Sequence, residues 1–158
     1  LEPAKKDAET LAQNITNNGE NSANEIRILA AEDNANNQLV LRMFLEQVGI
    51  YPVFAENGAL ALEAWKTQNF DLILMDVQMP IMSGPDATME IRKIEAQTGR
   101  RRTPIIALTA NAMSHHVREC LEADMDAHVA KPIQPDLLFA AIDMALSLSN
   151  NADETAAA

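Results

Sequence analysis

Five residues able to do chemistry stand directly after short apolar stretches: the pair Glu32-Asp33, then Asp76, Thr109 and Lys131. Three carboxylates brought together repel one another, so their ionised forms are costly unless a cation sits among them. Mg²⁺, or Mn²⁺ in its place, suits such a set, being a hard ion that takes oxygen ligands and keeps several waters. Asp33 and Asp76 would bind it directly, the backbone carbonyl of Gln78 would be a third ligand, and Glu32 would act through water. A carboxylate is also a nucleophile toward phosphorus, giving an aspartyl phosphate. Such transfer needs mostly positioning and neutralisation of charge. The Lys131 ammonium and the Thr109 hydroxyl would supply the neutralisation, and Ala110 is small enough to leave the approach open. Taken singly, each residue has an ordinary explanation as a turn former, a helix cap or a surface charge. Their appearance in order, each at the end of an apolar run, is what carries weight.

The elements that must position them follow from the pattern. Leu72–Met75 is a short unbroken apolar run before Asp76, followed by a loop marked by Pro80 and Gly84, which reads as a strand buried on both faces. Similar runs at 26–31, 51–55, 105–108 and 127–130 give five strands in all. Between them lie helical stripes: Val40, Leu41, Phe44, Leu45 and Val48; Ala61, Leu62 and Trp65; Ala87, Ile91 and Ile94; a weaker helix from Ser114 through Leu121; and Leu138, Ala141, Ile142 and Ala145. Asn34 caps the first helix, Asn57-Gly58 turns into the second, and Pro85 suits the start of the third. Five strands alternating with five helices predict a doubly wound, five-stranded parallel α/β domain, because right-handed crossovers put helices on both faces. In such sheets ligands bind beyond the carboxyl ends of the strands, which is where all five residues fall.

Residues 1–25 are polar and rich in Asn, Glu and Ala, and read as a linker or tether from an upstream domain. The domain itself spans 26–149, and 150–158 reads as a flexible C-terminal tail. The run Arg100–Arg102 after Gly99 reads as a solvated loop. The chain starts at Leu1 rather than Met, which together with the linker favours a piece of a longer protein. A formal net charge of −11 disfavours binding to nucleic acid or to an anionic membrane surface. No apolar run approaches the ~18 residues of a membrane span. Cys120 is the single cysteine, so no internal disulfide is available, which suits the cytoplasm.

The motifs AAEDN, LILMDVQMP, ALTAN and AKPI, taken together, make the chain from about Ile26 to Leu148 resemble the receiver domain of two-component response regulators. The wording of EDNANNQLVLRMFLE, ENGALALEAW and LILMDVQMPIMSG is most similar to the receiver of a hybrid histidine kinase. The resemblance implies a flavodoxin-like receiver fold with Asp76 as phosphoacceptor and Glu32 and Asp33 as the metal-binding acidic pair. It implies Thr109 as switch hydroxyl and Lys131 as the phosphate-sensing base, and a cis Lys131–Pro132 bond. The domain would catalyse only its own phosphorylation and dephosphorylation, within a parent chain that is a histidine kinase and is itself membrane-anchored or not. Its partners would be a kinase dimerisation domain or a histidine phosphotransfer protein, docking on the first helix and the active-site loops.

The chain departs from the family pattern in places. His128 stands where the family often has the Tyr or Phe of the switch, and satisfaction within the core is favoured over a pH-sensitive switch there. Asp124 replaces a common Gly, Ser83 a common Asp, and Pro85 follows Gly84 unusually. Gln78 and Asn111 flank the route of an attacking water, by the same resemblance. His115 and His116 lack a third ligand of suitable spacing and read as a solvated helix start, not a zinc site. A phosphatase of the haloacid dehalogenase type needs a second Asp where Gln78 stands, and no Gly-rich dinucleotide fingerprint follows the first strand. A free-standing receiver and a docking module that works without phosphorylation remain the alternatives.

Overall fold

The computed structural model describes residues 26–110 and 115–157, with side chains through residue 147 and excluding those of 115 and 116. The elements run β1 (Ile28–Ala31), α1 (Ala35–Glu46), β2 (Val53–Ala55), α2 (Gly58–Thr67) and β3 (Leu72–Asp76). They continue as α3 (Gly84–Thr98), β4 (Ile105–Thr109), α4 (His115–Glu122), β5 (Ala127–Ala130) and α5 (Pro135–Ala157). All four strand pairings are parallel, in the order β2-β1-β3-β4-β5. The chain therefore reverses its direction of winding between β1 and β3, and a crevice opens there beyond the strand ends.

The strands form because they are buried on both faces. Every residue of β1, β3 and β4 is buried, and alternation sends successive side chains to two separate cores. Ile28, Ala30, Leu72, Leu74, Ile106 and Leu108 meet Leu41 and Leu45 of α1 and Leu138, Phe139 and Ile142 of α5. Leu29, Ala31, Ile73, Met75, Ile105 and Ala107 meet Ala61, Leu62 and Trp65 of α2, Ala87 and Ile91 of α3 and Cys120 of α4. Each side chain of this size contributes about 1.5–3 kcal/mol on burial, so the two cores hold the sheet from both sides.

Helix starts follow the expected chemistry. Asn34 Oδ1 accepts the amides of Asn36 and Asn37, Asn57 Oδ1 accepts that of Leu60, and Ser83 Oγ that of Asp86. Ser83 thus earns its place as a cap, and Pro85 sits in the first turn where it loses no hydrogen bond. The expected Ser114 cap, like Asn111 and residues 1–25, lies outside the described residues.

Four readings change. Strands β1 and β2 start two residues later than expected, at Ile28 and Val53. The α5 helix continues to Ala157, across the stretch read as a tail, because its Ala and Glu residues sustain a helix already nucleated by packing. Phe139, absent from the expected stripe of α5, is fully buried. The loop 100–102 is not simply solvated: Arg100 stacks 3.8 Å from the Trp65 ring centroid and donates to the Gln68 carbonyl. Arg102 pairs with Asp124 and Asp126 at 2.9 Å each. Asp124 adopts φ 72°, the left-handed conformation that a Gly would take, so the turn before β5 keeps its shape.

Candidate functional site

Each candidate residue is delivered by a strand end. Glu32 and Asp33 follow Ala31 of β1, Asp76 closes β3, Thr109 closes β4 and Lys131 follows Ala130 of β5. The parallel register Ala31↔Met75, Asp76↔Leu108 and Thr109↔Ala130 brings these ends level. Main-chain bonds from Glu32 N to Ala55 O (2.9 Å), Val77 N to Leu108 O (3.1 Å) and Lys131 N to Thr109 O (2.7 Å) extend the ladder one step past the strands. The side chains are therefore mounted on rigid backbone. The Lys131–Pro132 peptide is cis.

These residues line one cavity of about 210 Å³, together with Asn34, Asn37, Val77, Gln78 and Ala110. Carboxylate oxygens of Glu32, Asp33 and Asp76 lie within 4.8 Å of one another. Glu32 is fully buried, Asp76 and Thr109 nearly so, and Asp33 faces solvent. Lys131 Nζ stands 2.9 Å from Glu32 Oε2 and 3.0 Å from Asp76 Oδ2, bridging the two. One ammonium thus bridges two of the three carboxylates, which leaves an excess of negative charge.

Burial pushes the Asp76 carboxyl up to about 6; Glu32 adds to the rise and Lys131 opposes it. Burial acts in the same sense on Glu32, but Lys131 and donors from Asn34 and Asn37 outweigh it and hold that carboxyl below its usual range. Lys131 is desolvated, yet the two carboxylates raise its ammonium above the ordinary lysine value. Of the coupled pair, Asp76 takes up a proton first, because Glu32 has more donors.

Sequence reasoning overlooked those donors. Asn34 N donates to Glu32 Oε1 at 3.1 Å, Asn37 Nδ2 to the same oxygen at 3.3 Å, and Gln38 Nε2 to the Glu32 carbonyl at 2.6 Å. The first turn of α1 therefore orients Glu32. The available signal was three polar residues, Asn34, Asn37 and Gln38, within one helical turn of the acidic pair. Oε2 of Glu32 is buried, and the partner it meets is the Lys131 ammonium at 2.9 Å. The donor set, all oxygen and mostly anionic, fits a hard divalent cation. Gln78 contributes to the cavity wall, and its amide donates to Asp76 Oδ1 at 3.3 Å.

His128 is brought close but not into the cavity. It pairs with Ala107 across the ladder on the edge strand β5, and its side chain reaches solvent. The expectation that it is satisfied within the core is overturned, because an edge strand is covered by fewer neighbours than a central one. The side chains of His115 and His116 lie outside the described set. Among the described residues, no helix is long and apolar enough to cross a membrane.

Comparison with known proteins places this geometry. The chain is 38% identical over 149 residues to the peroxide stress-activated histidine kinase mak1 of Schizosaccharomyces pombe, covering 92% of this chain and 9% of that protein. It is 44% identical over 107 residues to the sensor protein GacS of Pseudomonas syringae, covering 68% of this chain and 12% of GacS. The chain thus spans about a tenth of these relatives. Among solved structures, the receiver domain of the sensor histidine kinase PA1611 of Pseudomonas aeruginosa matches with TM-score 0.70 and 37% identity, over 77% of this chain and 98% of that one. That structure has a magnesium ion coordinated in its active-site cleft. The receiver domain of Saccharomyces cerevisiae Ssk1, crystallised with the histidine phosphotransfer protein Ypd1, matches with TM-score 0.65 and 35% identity, over 70% of this chain and 81% of that one. Residues 28–143 match the response regulator receiver domain, and with its strand order and the acidic cavity at the switch point this chain belongs to that family.

Proposed function

We propose that Asp76 is the phosphoacceptor of a phosphorelay, taking its phosphoryl group from a phosphohistidine. An Asp76 carboxylate oxygen attacks phosphorus, the P–N bond breaks, and the bonding pair stays with the imidazole of the donor. The observation that carries this reading is the Lys131 ammonium bridging Glu32 Oε2 and Asp76 Oδ2 at the rim of a cavity with surplus negative charge. Lys131 is poised to neutralise a phosphoryl oxygen, and Thr109, which lines the same cavity, to hydrogen-bond another. Glu32, Asp33, Asp76 and the backbone carbonyl of Gln78 would hold Mg²⁺ or Mn²⁺. When bound, the cation supplies charge neutralisation between the carboxylates and the incoming phosphoryl group. The all-oxygen donor set, with one ammonium among three carboxylates, supports that assignment.

The added phosphate brings a charge of about −1.5 to −2 into the cavity. Thr109 and Lys131 are drawn toward it, and His128, exposed on the adjoining edge strand, reports the change on the surface of α4, β5 and α5. The domain serves a hybrid histidine kinase in the cytoplasm, receiving phosphate from a kinase dimerisation domain or exchanging it with a histidine phosphotransfer protein. The similarity to mak1 and GacS, and the Ssk1 receiver crystallised with Ypd1, support this reading. We take 26–149 as the extent of this domain, a reading supported by the family match over residues 28–143.

The test is intact-mass spectrometry after incubation with acetyl phosphate, with and without Mg²⁺, on the wild-type chain and on Asp76→Asn. One phosphate adduct that needs Mg²⁺ and disappears in Asp76→Asn is the expected result. An adduct that persists in Asp76→Asn would move the acceptor elsewhere. No adduct even with the purified kinase domain of a hybrid relative would leave a module that works without phosphorylation.

A further inference from the structure

The loop between Asp76 and α3 contains a strained turn whose restraint comes from α2. Met82 N donates to Pro80 O, two residues back, at 2.7 Å, and the residue between them, Ile81, has φ 71°. A γ-turn with positive φ is rare and strained, and a β-branched residue in that region is an outlier. Ile81 is 85% exposed, so its own side chain does little to hold the turn. The restraint lies on either side. Met79 and Met82 pack on the core beneath α2 and α3, Gly84 N closes on Val77 O at 3.0 Å, and Gly58 N donates to Met82 O at 2.9 Å.

Gly58 is the first residue of α2, fixed from the helix side by its neighbour Asn57, whose buried side chain caps Leu60. A Cβ at Gly58 would fall on the Met82 carbonyl oxygen and 2.8 Å from that of Ser83. Both are backbone atoms, so any side chain at 58 displaces the turn itself. The turn begins two residues after Gln78, whose amide also donates to Asp76 Oδ1, so such a displacement is passed into the cavity wall.

We propose that Gly58 is a positioning residue for the cation site, admitting the start of α2 against the 80–82 turn so that the loop holds Gln78 in place. The proposal rests on the cation reading above and adds α2 to the parts of the fold on which that site depends. The coupling is reciprocal: a cation held by the loop steadies the Gly58–Met82 hydrogen bond, and a shift of α2 loosens the cation.

Calorimetric titration of the metal-free chain with Mg²⁺ tests it, on wild type, Asp33→Asn, Gly58→Ala and Gly58→Ala/Ile81→Gly. Gly58→Ala is expected to weaken Mg²⁺ binding about ten-fold or more, the scale of loss when the support of a metal ligand is removed. The added Ile81→Gly should recover most of that loss, since Gly takes positive φ freely and lets the turn yield without moving Gln78. A merely structural Gly58 would lower the unfolding midpoint and leave the affinity of the folded protein unchanged, which overturns the proposal. A second measurement needs no variant: amide exchange at Gly58 should slow on saturation with Mg²⁺ while that at Gly99 does not. An unresponsive Gly58 amide also overturns it. Wild type that binds no Mg²⁺ removes the cation reading and this inference together. Binding lost in Asp33→Asn but unchanged in Gly58→Ala removes this inference alone.

Discussion

Two clusters of charge lie at opposite ends of the same sheet, and they are built on different terms. At the end where β4 and β5 begin, Arg92 donates to Glu95 Oε1 (2.8 Å), Asp126 Oδ2 (3.0 Å) and the carbonyls of Thr103 and Asp124. Glu95 Oε2 takes the Thr103 amide at 2.6 Å, Asp126 Oδ2 takes that of Ile105 at 2.8 Å, and Arg102 closes the set on Asp124 and Asp126. Two guanidiniums face three carboxylates there, with donors to spare. At the other end one ammonium, bridging Glu32 and Asp76, faces three carboxylates. A buried charge cluster that is satisfied holds a fold together. One left short of positive charge is built to receive something, and that shortage, more than the presence of acidic residues, marks the functional end.

The comparison breaks most visibly at Arg92, whose side chain is 11% exposed beside Glu95 at 7%. Arg92→Ala leaves Glu95 buried without its cation, while Asp126 keeps Arg102, and is expected to cost about 3–5 kcal/mol. Urea unfolding measures the loss. The folded fraction should still take phosphate from acetyl phosphate as wild type does; a defect there would mean that the two clusters are not separate in function.

At the deficient end the sign reverses. Asp76 holds its proton up to about 6 when folded, against an ordinary value of 3.8. Between those values the folded chain binds more protons than the unfolded one, so this carboxyl makes stability fall as pH rises through that window. Above it the full penalty applies. Metal-free Asp76→Asn is therefore expected to be more stable than wild type near neutral pH, by on the order of 1–3 kcal/mol, with the gap closing toward pH 4. Parallel melts in a chelating buffer across that range decide it. A gap that does not narrow on acidification would mean that Asp76 is not held in its costly charged form.

Much of this was legible before the structure because the site residues fall where strand periodicity ends. Leu72–Met75 gave β3 and hence the place of Asp76, and three of the other apolar runs placed Glu32 and Asp33, Thr109, and Lys131 in the same way. The satisfied cluster was illegible: Arg92, Arg102, Asp124 and Asp126 are far apart in sequence and adjacent only through the crossovers. Periodicity reports which face of an element is buried, not which polar residues will meet across elements. The exposure of His128 was missed for a related reason, since alternation cannot tell an edge strand from a central one. Gly58 looked like a turn former; its contact with Met82 depends on where the next loop returns.

The satisfied cluster itself has a weak rim, which sharpens the contrast with its centre. Arg102 and Asp124 are 47% and 63% exposed, and pairs of that kind are worth about 0.2–1 kcal/mol. Asp124 also carries φ 72°, a conformation that Asp tolerates and that Gly adopts without penalty. Asp124→Gly removes the pair but relieves the backbone, so its net effect should fall within about 0.5 kcal/mol of zero. Asp124→Ala loses the pair and retains a side chain poorly suited to positive φ, and should cost about 1 kcal/mol or more. The order of the two variants in urea midpoints is the decisive quantity. If Gly proved the more damaging, the backbone at 124 would carry no strain for Gly to relieve, whereas a loss well above 1 kcal/mol in both variants would put the Asp124 carboxylate with Arg92 and not at the rim.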